Sequence, residues 1–201
     1  MRQKLHSCLT LITLALMWAW PATGEAQTVA GEASVVRAIV LGATSLLPAT
    51  TTLADTGPLS AINSALDTSM DTGNVPSLVT AEVLSAGTIS WPDEVDSVAS
   101  LGNVNLNVAG SGIHADSVLA RASQVLGGAG YGTSIINNFS INGIPIAITG
   151  AANQMVGIPG GQVIVNEQTI SQSGAAVVNA IHVIVTGVAD VVLASATAGI
   201  S

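Results

Sequence analysis

Two histidines, His114 and His182, and the aspartate beside the first of them, Asp116, are the side chains here with the widest chemical repertoire. His114 and Asp116 are two residues apart, so on an extended strand they share a side. His182 lies in Asn179-Ala180-Ile181-His182-Val183, on the side opposite Ile181, Val183 and Val185. Two imidazoles and a carboxylate can hold zinc or iron, provided that their strands are neighbours. One surface histidine and one hydrogen-bonded histidine in a sheet account for the same residues without a metal.

Asp93, Glu94 and Asp96 form the densest acidic cluster, next to Trp91 and Pro92. Carboxylate oxygens in a loop are candidate calcium ligands, but these acids lack the alternating spacing and glycine of a calcium loop, and a solvated turn is expected. Trp91 and Tyr131 are the candidate platforms for a carbohydrate ligand. Arg121, on the same strand side as Leu119, Ser123 and Val125, is expected to be partly buried against an acid. Hydrolase chemistry has little support, since there is no G-x-S-x-G elbow and the one cysteine is Cys8. Gly127 to Gly132 is glycine-dense, yet it lacks a P-loop lysine and a Rossmann context, so a flexible loop is expected. Paired carboxylates of a glycosidase would show only in space. No catalytic residue and no cofactor is assigned; calcium and a transition metal are the candidates.

Short apolar alternation punctuated by Gly, Asn, Ser and Pro must carry these side chains, which is the pattern of an all-β chain. Strands are expected at 34–41, 78–90, 95–108, 113–125, 134–141, 144–149, 162–170, 176–186 and 188–197, with the longer ones bending, as at Gly102. Asn142-Gly143 between alternating apolar residues predicts a two-residue hairpin turn. That register pairs Ile141 with Ile144 and Phe139 with Ile146, places all four on one buried face, and extends it to Ile135 and Ile148. Pro145 then points its missing N–H away from the hairpin partner, which predicts a sheet edge or a bulge. Leu59 to Met70 fits a short helix or ordered loop, and Asp116 to Leu126 fits a helix or, preferably, a strand. The apolar stretch 176–200 contains Asn179, His182, Gly187 and Asp190, so two buried strands are expected rather than a membrane span.

Arg2 and Lys4, the uncharged apolar run from Cys8 to Trp20, Pro21 and small residues up to Ala26 have the three-part plan of a secretory signal peptide over residues 1–26. Cys8 begins the apolar run rather than ending it, which argues against a lipoprotein. Removing this leader leaves Arg37 and Arg121 as the fixed cations, with no lysine and no cysteine. The whole chain carries 4 cations against 12 acids, a net charge of -8, which excludes the basic face a nucleic-acid binder needs. Residues 27–33 form a short N-terminal segment, and 34–201 are long enough for one β-rich domain.

Positions 35 to 200 resemble the bacterial choice-of-anchor P family of exported proteins. The residues that carry the resemblance are Val36-Arg37-Ala38-Ile39-Val40-Leu41-Gly42 followed by Pro48, then Ile113-His114-Ala115-Asp116 leading into Ala120-Arg121-Ala122. Ile141-Asn142-Gly143, Val165-Asn166-Glu167-Gln168 and Val178-Asn179-Ala180-Ile181-His182-Val183 continue it, up to Gly187-Val188-Ala189-Asp190-Val191-Val192. The resemblance implies export and a β-rich fold, with alternative C-terminal sorting tails in some members, and supplies no catalytic residues. This chain shows no LPXTG-type motif or apolar tail after Ile200-Ser201, so a secreted or periplasmic protein is expected.

The expected fold is a β-sandwich of mainly antiparallel sheets, with a β-solenoid as the alternative and a signal-peptide helix in front. The expected role is non-enzymatic: a structural or adhesive domain of the cell envelope or extracellular matrix, acting by self-association or on an envelope polysaccharide. The alternative is a metal- or carbohydrate-binding module, or an enzyme, with a site near His114, Asp116 and His182.

Overall fold

A computed structural model describes residues 27–41 and 49–201, so the expected leader and its helix lie outside the described residues, as does Pro48. Strand β1 (Val29–Val40) begins earlier than the expected Ser34 and runs through the interior of a first sheet, with β2 (Ala49–Asp55) at that sheet's edge. The chain then crosses to the edge of a second sheet at β3 (Ser64–Val75). It continues through β4 (Val79–Ser90), β5 (Glu94–Val108) and β6 (Ser111–Val125). Both β7 (Tyr131–Asn137) and β8 (Ser140–Ile141) pair with β6, and β9 (Ile144–Pro145) closes the far edge. The chain returns to the first sheet through β10 (Gln154–Ile158), β11 (Gly161–Ile170), β12 (Ala176–Val185) and β13 (Ala189–Ile200).

The first sheet has the order β10-β11-β12-β13-β1-β2, and the second β3-β4-β5-β6-β8-β9. Every pairing is antiparallel, and almost every strand pairs with the strand before or after it. The exceptions are β6 with β8, which skips over β7, and β1 with β13, where Thr28 N–H donates to Ser201 O at 2.7 Å and Ser201 N–H returns the bond at 3.0 Å. The fold is thus a two-sheet sandwich made from one continuous meander, not a solenoid. No helix forms among the described residues, and none is long and apolar enough to cross a membrane.

Local chemistry explains most of the turns. Asn142-Gly143 adopts positive φ at both positions (52° and 75°), the geometry that joins Ile141 to Ile144 in two residues. Ala109-Gly110 makes the same kind of turn between β5 and β6, with an alanine where asparagine is the better residue. Leu59 to Met70 is not helical: Leu59 is buried and bridges Gly31, and β3 begins at Ser64. The segment 116–125 is the preferred strand, within β6, with Leu126 in the turn that follows, and the apolar 176–200 is the expected buried pair, β12 and β13, in the interior of its sheet.

The long strands change face halfway. In β5 the core positions are Val95, Ser97, Ala99 and Leu101, then Val104, Leu106 and Val108, with Asn103 at φ 46° in the gap. In β4 the switch falls at Val83, φ 50°, between Ala81 and Leu84. The first sheet shows the reverse: Leu193 and Ala194 in β13, and Ala180 and Ile181 in β12, are adjacent and both inside, with Ala194 at φ 55°. Gly102 therefore marks a change of phase rather than the end of a strand.

The same effect corrects the expected apolar face of the hairpin. Phe139 and Ile141 are buried, and Ile146 and Ile148 pack on the core. Ile135 is 54% exposed because Asn138, at φ 52°, separates β7 from β8 and reverses the pleat. Ile144 is 65% exposed because β9 is the outermost strand, as Pro145 foretells.

The core is built from Val, Ala, Leu and Ile, with Phe139 the one buried aromatic ring among the described residues. Small side chains let the sheets approach closely: a Cβ on Gly132 would come within 1.9 Å of Val178 on the facing sheet. Buried polar groups tie the layers at one end. Ser97 Oγ donates to Thr197 O at 2.6 Å, which leaves its lone pair for the Thr88 hydroxyl at 2.7 Å. Gln124, also buried, donates to Gly128 O and Ser173 O and accepts from Ile200 N–H, so all its near partners lie in three different segments.

Candidate functional site

The face switch at Ala180-Ile181 puts Ile181, Val183 and Val185 in the core and aims His182 outward from the first sheet. Antiparallel register then gathers its neighbours. Ile184 pairs with Asp190 across the β12–β13 hairpin, which brings Asp190 diagonally to His182, and Glu167 pairs with Asn179 across β11–β12. His182 Nδ1 lies 2.9 Å from Glu167 Oε2, and Nε2 lies 3.0 Å from Asp190 Oδ1. Asn179 Nδ2 donates to the same Glu167 oxygen at 2.5 Å, while Asn179 Oδ1 is buried with no protein partner. A neutral imidazole has one N–H and can serve one of these carboxylates; the protonated ring serves both. The His182 side chain is only 13% exposed.

On the second sheet, β6 aims His114 and Asp116 outward on the same side, as their spacing requires. His114 Nε2 is 3.2 Å from Asp116 Oδ1 and its Nδ1 is 3.2 Å from Asn105 Oδ1 on β5. Asp116 Oδ2 accepts from Asn138 Nδ2 at 2.5 Å. The Asn138 amide first, and the His114 hydrogen bond second, hold the Asp116 carboxyl below the usual aspartate range. Asn105, Asn107, His114, Ser140 and Asn142 border an open depression of about 350 Å³ here.

The expected trio does not assemble. His114 and Asp116 meet, but His182 points away from them on the outer face of the other sheet, with the core between. Among the described residues, no group of three or more His, Cys, Asp or Glu side chains is arranged to hold a metal ion. The acidic cluster at the β4–β5 turn is also divided. Asp96 takes Arg121 in a two-pronged ion pair, with Nε at 2.9 Å, and Glu94 accepts from Ser123 Oγ at 3.0 Å. Asp96, by hydrogen bond and then by charge, raises the Arg121 guanidinium above its ordinary value, so Arg121 has the expected acid partner, but at 48% exposure it is a surface pair rather than a partly buried one.

Trp91 and Tyr131 are 40% and 52% exposed at this end of the second sheet. Trp91 N–H donates to Glu94 O at the β4–β5 turn, and Tyr131 opens β7 opposite Ser123. The glycine-dense segment is only partly a loop, because Gly132 belongs to β7 and Gly130 N–H donates to Gly174 O. Sequence reasoning missed Glu167, Asp190, Asn105 and Asn138 as partners of the two histidines. Asp190 is a diagonal neighbour of His182 only because the turn has three residues, Thr186-Gly187-Val188; a two-residue turn would pair it with Val183 on the opposite face. The others depend on pairings across separate hairpins.

Charge divides the molecule unevenly. Residues 122–166 contain no Asp, Glu, Lys, Arg or His, and they supply β7, β8, β9, β10 and the first half of β11. Asp55, Asp67, Asp71 and Glu82 lie on β2, β3 and β4, at the opposite lateral side. The uncharged side exposes Ile135, Ile144 and Met155. No family model, curated protein or solved structure matches this chain.

Proposed function

We propose that this is an exported, non-enzymatic structural or adhesive domain of the cell envelope or extracellular matrix. The observation that carries the proposal is the uncharged lateral side, with exposed Ile135, Ile144 and Met155, on a chain of net charge -8. An acidic surface keeps copies apart, and an uncharged apolar strip is where contact meets no such repulsion. The leader-like residues 1–26 support export to a secreted or periplasmic destination. Membership of the choice-of-anchor P family is part of the same proposal and rests on the residue blocks from Val36 to Val192. Sedimentation of the purified protein over a concentration series, with binding to cells and envelope polysaccharide, tests the role. Association or binding supports it; a monomer at high concentration that binds neither overturns it.

A carbohydrate-binding module is the second reading. It is favoured by exposed Trp91 and Tyr131 at the β4–β5 turn end of the second sheet. Glycan-array binding lost in Trp91→Ala or Tyr131→Ala supports it, and an empty array removes it.

A further inference from the structure

Five strands have one edge without a strand partner: β2, β3, β9 and β10 at the ends of the sheets, and β7, which pairs only with β6. Free strand edges invite pairing with another chain, and proteins blunt them with charge, proline, kinks or brevity. Three of the five are blunted in these ways, and β7 has its Gly132 carbonyl taken by Gln168 Nε2 from the first sheet and is broken off at Asn138 (φ 52°). β3 carries Asp67 and Asp71, β9 is two residues long and contains Pro145, and β2 is kinked at Ala54 (φ 48°) and ends at Asp55. β10, Gln154-Met155-Val156-Gly157-Ile158, has no charge, no proline and no residue at positive φ.

The β10–β11 register shows which backbone groups remain free. Ile158 pairs with Gly161 around a two-residue turn, so Ile158, Val156 and Gln154 turn their N–H and C=O toward β11. Met155 and Gly157 turn theirs to the open edge, and among the described residues no backbone bond from a loop reaches either residue. The Met155 side chain is 69% exposed, and the space a Cβ on Gly157 would enter is empty.

We infer that two copies of this chain pair antiparallel through β10, about a two-fold axis at Val156, joining their first sheets into one. Met155 of each copy then faces Gly157 of the other, so the two residues exchange both N–H···O bonds. The exposed Met155 side chain covers the space left open over the opposite glycine. A second copy fits better than a charged partner, because both surfaces come from the uncharged 122–166 segment while the acids of β2 and β3 repel in an approach through that side. This inference rests on the self-associating form of the function proposed above and names its surface.

The test is sedimentation of the purified protein beside Gly157→Pro, which deletes an edge-facing N–H, and Met155→Lys, which places like charges across the contact. A wild-type dimer whose dissociation constant rises at least about ten-fold in each folded variant supports the pairing. Concentration-dependent slowing of amide exchange at Met155 and Gly157 supports it independently of either variant's folding. A dimer untouched by Met155→Lys, or one that protects other amides, overturns the β10 contact and leaves self-association standing. A monomer that binds polysaccharide overturns the pairing alone. A monomer that binds nothing overturns both readings.

Discussion

His182 and His114 both stand on outer faces of the sandwich beside carboxylates, yet they are held very differently. His182, 13% exposed, is clamped on both ring nitrogens by Glu167 and Asp190 from two flanking strands. His114, 39% exposed, lies in an open chain from Asn105 through Asp116 to Asn138. Partial burial raises the value of each hydrogen bond and the cost of losing one, whereas solvent replaces the bonds of an exposed chain. The same residue types therefore make a structural clasp on the first sheet and an accessible polar stripe on the second.

The contrast is best broken by mutating the clasp. His182→Ala removes a partner from half-buried Glu167 and from Asp190, and is expected to lower unfolding stability by about 2 kcal/mol. His114→Ala is expected to stay within about 0.5 kcal/mol of wild type. Urea denaturation of the two variants decides it, and equal losses would end the distinction.

The second sheet puts a left-handed kink on a bulkier residue than the first does. Its kink falls on Val83, a β-branched residue at φ 50° that is 72% exposed, whereas Ala194 carries the corresponding kink in the first sheet. Val83→Gly is expected to raise stability by about 1 kcal/mol, because left-handed backbone costs valine about that much and little packing is lost. A lower melting temperature would mean that the valine side chain repays its strain.

The smallest effect concerns the polar stripe alone. Asp116 has a folded-state pKa below its unfolded value, so its contribution is present above the unfolded pKa and is lost as pH falls through the folded one. In Asn138→Ala the principal donor to that carboxylate is gone, and an NMR titration should show the Asp116 midpoint moving up. A midpoint that stays put would assign the depression to His114 instead.

Legibility followed the amount of local signal. The Asn142-Gly143 turn, the edge position of Pro145 and the buried hairpin of β12 and β13 were all readable, because turn chemistry and long apolar runs are local. β2 and β3 were not, since edge strands half in water need no apolar alternation, and ATTTLAD and SALDTSMDTGNV have little. The placing of the histidines was half readable. Which side of its own strand His182 occupies followed from Ile181, Val183 and Val185, but nothing local says that its strand and that of His114 belong to opposite sheets.

Composition, alternation and turn residues were enough by themselves to determine an all-β, acidic chain with its charges withheld from residues 122–166. Tertiary structure decided the rest: the pairing of β1 with β13, the face changes at Val83, Asn103 and Ala194, and which carboxylates meet which imidazole. The reason is that strand propensity and turns act over a few residues, whereas register and facing are set by burial between segments far apart in the chain. A one-residue change of phase costs little locally, yet it sends every following side chain to the other face.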